Sequence, residues 1–339
     1  MEISPKRPHR LVVCGASGML ASQLIFLVCA EGYVRELVLH GSDLKRLRGV
    51  EEEIRDAGFD LELTLTTDLR EAVSSGGDIF YATSVRSGSL TREEMLLDNA
   101  PSARDTGMAI AEAEGSIHRV VCVSNPSDLV GLSILVHSRL HPEQVMSLSA
   151  LDTMRYQKEL IRALGIRRAD ILDGWTLGSH DESMAVMRDT PRINGKSLDQ
   201  LIHEGLLSES KYEEIRHGVV KGGARIIKLR GHTSYQSPAW LAYLMLRATD
   251  ENPFSLPTAR YLHTDGFEHI FLSLPGEIGS RGCFQESLEI SKRDYEELKR
   301  SYASVREQRD ILIENGLLPP IDQWREELHN MLSPEVSCK

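Results

Sequence analysis

Short apolar runs alternate with longer, helix-length segments along the first part of the chain. The runs RLVVC and ELVLH flank the segment MLASQLIFLVCAE, and together they predict a strand, a helix and a second strand. The longest of the later helical stretches is expected from Thr91 to Glu114. Four further runs have the character of strands and are separated by helix-like stretches: LELTLT from residue 61, DIFYAT from 78, RVVCVS from 119 and VMSLSA from 145.

Strands that are apolar along their whole length are typical of a sheet covered by helices on both faces. The alternation therefore predicts an α/β fold with a doubly wound parallel sheet, a Rossmann domain, over residues 1–150. The pattern then changes to mixed strands and helices, which predicts a second, α+β substrate lobe over residues 151–315. This lobe is expected to end in a charged helix from Ser291 to Asn315.

The last residues, 316–339, are expected to form a C-terminal extension. They contain the short amphipathic piece PPIDQWREELHNML after the linker-like GLLPPID. Two positions remain open for a capping helix in this extension, one on a neighbouring lobe and one on a neighbouring subunit.

The composition is that of an ordinary globular protein, with 339 residues and 41% hydrophobic content. The net charge of -11 argues against a nucleic-acid partner and against an anionic membrane surface, so an anionic ligand needs specific cations. Five cysteines without a CxxC pair argue against a disulfide framework and a metal site, and they favour the cytoplasm. The apolar residues 11–30 are interrupted by Gly-Ala-Ser-Gly, which argues against a membrane span or signal peptide.

The stretch VVCGASGMLA, residues 12–21, is a candidate phosphate-binding turn. In a strand–turn–helix unit the first glycine makes the turn, the second lets the backbone approach a pyrophosphate, and a third small residue packs helix on strand. A purely steric turn is the alternative, but the alternating elements that follow favour a nucleotide site. The expected cofactor-binding residues are Gly15, Ser17, Gly18 and Met19.

The end of the second strand bears on the choice of nucleotide. NAD-binding folds usually carry an acidic residue there to hold the ribose diol. Here ELVLH is followed by Gly41, and Ser42, Lys45 and Arg46 come next, which suits a 2′-phosphate. We therefore expect NADP to be preferred and NAD to be possible. Two alternatives stay open. In one, Lys45 and Arg46 are only surface residues of a solvated helix, and in the other Asp43 binds a ribose.

Hydride transfer between a nicotinamide and a hydroxy acid needs a proton donor, cations for the substrate carboxylates and a closed site. Four further stretches offer such groups: SVRSGSLTREE, SNPSD, ALDTMRYQ and LGSHDESM. In their order and separation they resemble the lactate and malate dehydrogenase family over about residues 10–315, and are closest to its NADP-using malate dehydrogenases.

The resemblance implies a role for each of several residues. His180 is similar to the acid/base of the family, and Asp152 to the carboxylate that orients the imidazole. Arg155 is similar to the bidentate clamp on the substrate C1 carboxylate, Arg92 to the residue that polarises the reacting carbonyl, and Asn125 to a substrate-binding residue at a strand end. Without the resemblance, each of these would be taken as an ordinary structural or surface residue.

By the same resemblance Thr233 lies on the opposite wall of the substrate pocket and Asn99 near the cofactor. Arg86 occupies the loop position that sets substrate choice, where a guanidinium pairs with the distal carboxylate of a 2-oxo or 2-hydroxy dicarboxylate. A buried charge without its partner is costly, so Arg86 predicts malate and oxaloacetate over lactate and pyruvate. In the alternative interpretation, Arg86 points into solvent from a mobile loop and does not contact the substrate.

The resemblance therefore implies an NAD(P)-dependent malate dehydrogenase that forms a homodimer or homotetramer. A dehydrogenase for another 2-hydroxy acid, such as lactate or a sulfonated analogue, and a non-catalytic nucleotide-binding relative are the alternatives.

Two stretches depart from the family pattern. The chain has GSHDES where GEHGDS is common, so Ser179 and Asp181 replace a glutamate and a glycine. The two carboxylates after His180 are expected either to raise its pKa or to disfavour a doubly negative substrate. The loop VRSGS replaces PRKPG, which predicts that more backbone entropy is lost when the loop closes.

Overall fold

The computed structural model describes residues 10–85, 91–331 and 333–339, without the side chain of Arg92. The strands are β1 (Arg10–Cys14), β2 (Glu36–His40), β3 (Glu62–Thr66), β4 (Gly77–Tyr81), β5 (Ile117–Cys122), β6 (Val145–Ser147), β7 (Ile171–Leu172), β8 (Thr176–Leu177), β9 (Ala185–Val186), β10 (Arg192–Ile193), β11 (Lys196–Ser197), β12 (Thr258–Thr264), β13 (Phe267–Leu274), β14 (Glu277–Ile278), β15 (Cys283–Phe284), β16 (Leu288–Ile290) and β17 (Val336–Cys338). The helices are α1 (Met19–Ala30), α2 (Leu44–Asp56), α3 (Leu69–Ser74), α4 (Arg92–Glu112), α5 (Ser127–His137), α6 (Ala150–Leu164), α7 (Leu198–His203), α8 (Glu209–Val220), α9 (Gly222–Arg230), α10 (Gln236–Arg247), α11 (Lys292–Glu314) and α12 (Glu326–Asn330). Within the described ranges, no helix has both the length and the apolar character that a membrane crossing requires.

The central sheet has eight strands in the order β13-β12-β6-β5-β4-β1-β2-β3. The six strands β1 to β6 are parallel, and β1 lies between β2 and β4. The strand order therefore reverses at β1 and β4, and the crevice beyond their carboxyl ends is where such sheets bind ligands. The predicted doubly wound parallel sheet is confirmed.

The strands alternate their side chains between two apolar layers. Val12, Val38 and Ile79 belong to the buried cluster on one face, whereas Leu11 and Phe80 belong to the cluster on the other. Helices cover both faces, so neither face of these strands needs polar residues. This explains the continuous apolar runs in the sequence.

The second half of the chain also contributes to this sheet. Strands β12 and β13 form an antiparallel hairpin, and β12 pairs with β6 through Ala259 and Ser147. A separate buried cluster, which includes Tyr156, Leu160 and Ile215, joins α6 to α8. The domain limits at residues 150 and 315 stay predictions, because the hairpin continues the sheet across the first of them.

The C-terminal extension packs on its own chain. Trp324, Leu328 and Val336 are buried in the main core cluster, and β17 pairs with β16 in parallel. The hydroxyl of Tyr261 on β12 donates to the carbonyl of Leu328 at 2.7 Å. The segment thus lies against the β12–β13 hairpin of its own chain, and the expected contact with a neighbouring subunit stays a prediction.

Candidate active site

The turn after β1 is built for close backbone approach. Gly15 has a φ of +82°, and a Cβ there would lie 2.8 Å from the carbonyl oxygen of Ala82. Gly18 is the N-cap of α1, and no side chain caps that helix. Ser17 is half-buried and Met19 is exposed beside it. The first amides of α1 are therefore available to an anion, which the helix dipole favours at this end.

The end of β2 presents exposed cations and one acid, Asp43, that caps a helix. Gly41 is buried, whereas Ser42, Lys45 and Arg46 are exposed. Asp43 is the N-cap of α2, and its Oδ1 accepts hydrogen bonds from the amides of Lys45 and Arg46 at 2.9 and 3.3 Å. One oxygen of the carboxylate that was an alternative ribose ligand thus caps the helix, and that alternative stays a prediction.

A histidine and an aspartate lie in direct contact at the carboxyl edge of the sheet. His180 stands in the loop between β8 and β9, and its Nδ1 lies 2.5 Å from Oδ2 of Asp152 in the first turn of α6. The side chain of His180 is 19% exposed and that of Asp152 is 2% exposed. The pair is therefore shielded from bulk water on the aspartate side and accessible on the other.

The surroundings favour the charged forms of both groups. The charge of Asp152 raises the pKa of His180 above its ordinary value, in opposition to burial, and Asp128 adds to this rise. Burial alone would raise the pKa of Asp152, but His180 and Arg155 outweigh it and hold that pKa below its ordinary value. The site is thus suited to an imidazolium near neutral pH.

Arg155 completes this group from the same face of α6. Its Nη1 donates to Oδ1 of Asp152 at 2.7 Å, and its side chain is 12% exposed. Within the described part of the chain, Nε is buried without a hydrogen-bond partner. The guanidinium lies against the start of α9, where a Cβ at Gly222 would come within 2.9 Å of Cδ.

The strand-end turns after β4 and β5 are tied together by Asn99. This side chain on α4 is 2% exposed, accepts from the amide of Val85 at 2.8 Å and donates to the carbonyl of Asn125 at 2.7 Å. Asn125 itself is exposed at the turn before α5. In this structure Asn99 therefore holds the backbone at the predicted cofactor and substrate edge.

The carboxylates after His180 are engaged elsewhere. Glu182 forms an ion pair with Lys221 at 2.5 Å. Asp181 accepts hydrogen bonds from Ser179, Ser183 and Gln308. The expected rise in the pKa of His180 is present, but the carboxylates that cause most of it are Asp152 and Asp128, which lie elsewhere in the sequence.

Three predicted residues are not joined to this group by the described contacts. Arg86 lies outside the described residues. Arg92 is the first residue of α4, and its side chain is likewise not described. Thr233 is exposed between α9 and α10, where its carbonyl accepts a hydrogen bond from His232. Their predicted roles stay predictions.

Several residues that shape the site were not predicted from the sequence. Asp128, buried in the first turn of α5, accepts from the backbone amide of His180 at 2.9 Å. It stands in SNPSD, three residues after Asn125, but the motif gave no signal for its contact with a main-chain amide. The Gly222-Gly223 pair was a signal, since paired glycines at a helix start indicate close approach.

Comparison with known proteins adds independent findings. A family model described as lactate/malate dehydrogenase, NAD binding domain, matches residues 9–147. The malate dehydrogenase of Staphylococcus saprophyticus is 29% identical over 260 residues, which cover 75% of this chain and 81% of that protein. The L-2-hydroxycarboxylate dehydrogenase (NAD(P)(+)) of Methanocaldococcus jannaschii is 24% identical over 316 residues, covering 86% and 99%.

Solved structures show the same fold. The malate dehydrogenase of Naegleria fowleri superposes with a TM-score of 0.79 at 22% identity, over 94% of this chain and 100% of that one. The minor L-lactate dehydrogenase of Enterococcus mundtii gives a TM-score of 0.80 at 20% identity, over 90% and 98%. At such identities these superpositions establish the architecture alone.

Proposed function

Because this chain belongs to the lactate/malate dehydrogenase family and is thus an NAD(P)-dependent 2-hydroxy acid dehydrogenase, we propose that malate and oxaloacetate are its substrate pair. The observation that carries the proposal is the contact of His180, Asp152 and Arg155 at the carboxyl edge of the sheet. One relative has the broader name L-2-hydroxycarboxylate dehydrogenase, so lactate or a sulfonated analogue is the alternative substrate. A non-catalytic nucleotide-binding role is the alternative function.

In this proposal His180 moves the proton. Its Nδ1 is held by Asp152, so Nε2 donates to the carbonyl oxygen during reduction and accepts from the hydroxyl during oxidation. Asp152 fixes the ring orientation and stabilises the imidazolium, because the carboxylate remains charged beside two cations. Reduction therefore requires the protonated ring and oxidation the neutral ring.

Arg155 binds the C1 carboxylate of the substrate. Its Nη1 is fixed by Asp152, which pre-orients the planar guanidinium, and the structure gives Nη2 no partner within the described residues. We assign the distal carboxylate to Arg86 and polarisation of the reacting carbonyl to Arg92, following the resemblance in sequence. Asn125 and Thr233 are the further substrate contacts of this proposal.

The residues of the β1–α1 turn fit a dinucleotide. Gly15 leaves the space that a Cβ would fill, and the uncapped start of α1 at Gly18 suits a pyrophosphate. The bound nicotinamide supplies the hydride acceptor or donor for C2 of the substrate. The chain's own part is to hold the phosphates there and to exclude water at His180.

We further propose that NADP is preferred over NAD. Two observations support this: the only acid in the turn after β2, Asp43, caps α2, and the exposed Ser42, Lys45 and Arg46 surround that turn. The double variant Lys45→Ala/Arg46→Ala is expected to lower kcat/KM for NADPH and leave that for NADH within about twofold. The matched control is Arg48→Ala, an exposed cation on the same helix.

We also propose a homodimer or homotetramer in the cytoplasm. Large apolar side chains are exposed on α1, α9 and α10, which supports a subunit interface there: Met19, Phe26, Ile227, Leu229 and Trp240. The cysteines Cys14, Cys122 and Cys283 are buried as free thiols, which suits a reducing compartment.

Steady-state kinetics with several 2-oxo acids test the substrate assignment. We expect oxaloacetate to be reduced with a higher kcat/KM than pyruvate or a sulfonated 2-oxo acid. Arg86→Gln is expected to reduce this preference by about 100-fold, because the proposal pairs the guanidinium of this residue with the distal carboxylate. Equal rates for oxaloacetate and pyruvate would contradict the substrate assignment, and saturable cofactor binding without any turnover would support the non-catalytic alternative.

A further inference from the structure

Three consecutive backbone amides at the histidine loop bond to three different elements. The amide of Gly178 donates to a carbonyl of β13 at 2.9 Å. The amide of Ser179 donates to Oγ of Ser301 on α11 at 2.7 Å, and that of His180 donates to Asp128 on α5 at 2.9 Å. The backbone that carries the imidazole is thus fixed at three points, and α11 supplies one of them through a side chain.

A directed chain of hydroxyl groups extends from this point. Ser301 donates to Oγ of Ser179 at 3.2 Å, and Ser179 donates to Oδ1 of Asp181 at 2.6 Å. The hydroxyl of Ser183 also donates to that oxygen, at 2.5 Å. Each of these three hydroxyl protons has an acceptor, and the network ends on the carboxylate of Asp181. Such networks hold a loop in a single geometry.

Backbone and helix meet at van der Waals contact beside Ser301. Gly178 has a φ of +87°, and a Cβ there would lie 2.2 Å from Oγ of Ser301. Ser301 has no exposed surface. No water can replace its hydroxyl without a shift of the loop or the helix.

The helix that carries Ser301 is also anchored to strand β13. Nη1 of Arg309 donates to the carbonyls of Glu268 and His269 on β13, each at 3.0 Å. The amide of Glu268 donates to the hydroxyl of Tyr302 at 3.3 Å. Helix α11 is thus fixed to the central sheet, and Ser301 transmits that fixed position to the histidine loop.

We propose that Ser301 is a positioning residue for the proton transfer at His180, a role that rests on the function proposed above. Removal of its hydroxyl leaves the buried amide of Ser179 without an acceptor and detaches the loop from α11. The imidazole then varies in its distance from Asp152, and fewer molecules hold it ready to protonate the substrate.

The test is Ser301→Ala, with kinetics and histidine NMR as the readouts. We expect kcat for oxaloacetate reduction to fall about tenfold while KM and the Kd for NADPH stay within about twofold. The pH at which reduction declines is expected to shift towards 6.5, the ordinary pKa of histidine. The NMR titration of the His180 ring, assigned by its absence in His180→Asn, should shift the same way.

Ser133→Ala is the matched control, because it makes the same change at a fully buried helical serine on α5. It is expected to leave both the titration and kcat unchanged. If Ser301→Ala does not fold, Ser301→Cys is the second variant, because it replaces the hydroxyl by a weaker hydrogen-bonding thiol on a somewhat larger side chain.

An unchanged kcat together with an unchanged His180 titration in the Ser301 variant overturns the proposal, as does an equal change in the Ser133 control. If the wild-type protein reduces no 2-oxo acid, the function proposed above fails. The NMR titration still decides the role of Ser301 in that case, because it needs no turnover.

Discussion

The chemistry proposed for the site depends on how carboxylates surround the imidazole of one residue, His180. The resemblance in sequence pointed to His180, Asp152 and Arg155, and the structure places these three in contact. Asp152 and Arg155 are three residues apart on one helix, so their proximity was predictable from spacing. The position of His180 beside them depends on the fold and was expected only from the resemblance.

The residues that the sequence did not reveal are those that act on the backbone. Ser301 bonds to Ser179 across 122 positions of sequence, and nothing distinguishes it from other serines of a charged helix. Asp128 was in a quoted motif, but its partner is a main-chain amide, which carries no residue-type signal. Contacts of this kind become visible only once the elements are placed in space.

Asp128 permits a test that separates charge from hydrogen bonding. Asp128→Asn retains an oxygen that can accept from the amide of His180 but removes the negative charge. Since that charge helps to raise the pKa of His180, we expect the decline of oxaloacetate reduction with pH to begin at lower pH in this variant. The measurement is kcat against pH, and Asp105→Asn, an exposed ion-pair partner of Arg104, is the control.

Two outcomes would count against this role for Asp128. One is a pH profile identical to that of the wild type. The other is a profile that shifts to higher pH, since loss of a negative neighbour can only favour the neutral ring.

At the element scale, patterning predicted the sheet and its main helices well. Each of the six early apolar runs became a strand, and Thr91 and Ser291 became N-caps of α4 and α11. The short strands β7 to β11 and the sheet-extending hairpin were not predicted in detail. Two-residue strands have no periodicity to detect, and the antiparallel pairing of β12 with β6 joins residues far apart in sequence.

The close approach of α9 to α6 gives a prediction at this scale. Gly222→Ala would place a Cβ 2.9 Å from Cδ of Arg155 and displace the guanidinium. We expect KM for oxaloacetate to rise about tenfold, because the displaced cation no longer forms a bidentate pair with the C1 carboxylate. The Kd for NADPH should not change.

Gly223→Ala provides a stringent control for this variant. Its Cβ would lie 3.6 Å from Nη2 of Arg155, which is ordinary van der Waals contact. Equal effects of the two substitutions on KM would mean that the steric account of Arg155 is wrong.

At the scale of the whole molecule, the C-terminal extension is held on the sheet through a histidine cluster. His263 and His269 stack with ring centroids 3.9 Å apart, and His269 lies beside His329 and Trp324 of the extension. Its Nδ1 lies 2.7 Å from the hydroxyl of Tyr261, which in turn donates to the extension backbone. Burial and the neighbouring positive groups favour the neutral ring of His269 in the docked state.

This cluster predicts acid sensitivity of the fold. Burial lowers the pKa of His269 to about 4, and His263, His329 and Arg309 act in the same direction. The unfolded chain thus binds more protons than the folded one between about pH 6.5 and 4. In that range the free energy of unfolding should fall with decreasing pH, by about 1.4 kcal/mol per pH unit from this ring alone.

Denaturant unfolding of the wild type and of His269→Phe between pH 8 and 4 measures this effect. The phenylalanine variant should lose less stability on acidification than the wild type, whatever its stability at pH 8. Parallel curves for the two proteins would assign the acid sensitivity to other groups, among them His263, whose pKa burial also lowers.

In the proposed mechanism Asp152 keeps His180 protonated for proton transfer, and the pH dependence of catalysis reports on this pair. The measurement is kcat for oxaloacetate reduction and for malate oxidation against pH, in the wild type and in Asp152→Asn. In the wild type we expect the two pH profiles to run in opposite directions, with reduction lost and oxidation gained as pH rises through a pKa above 6.5. In Asp152→Asn the midpoints of both pH profiles should move to lower pH, and kcat for reduction should fall at least 100-fold. If that variant has the kcat values and the pH midpoints of the wild type, Asp152 does not have the proposed role.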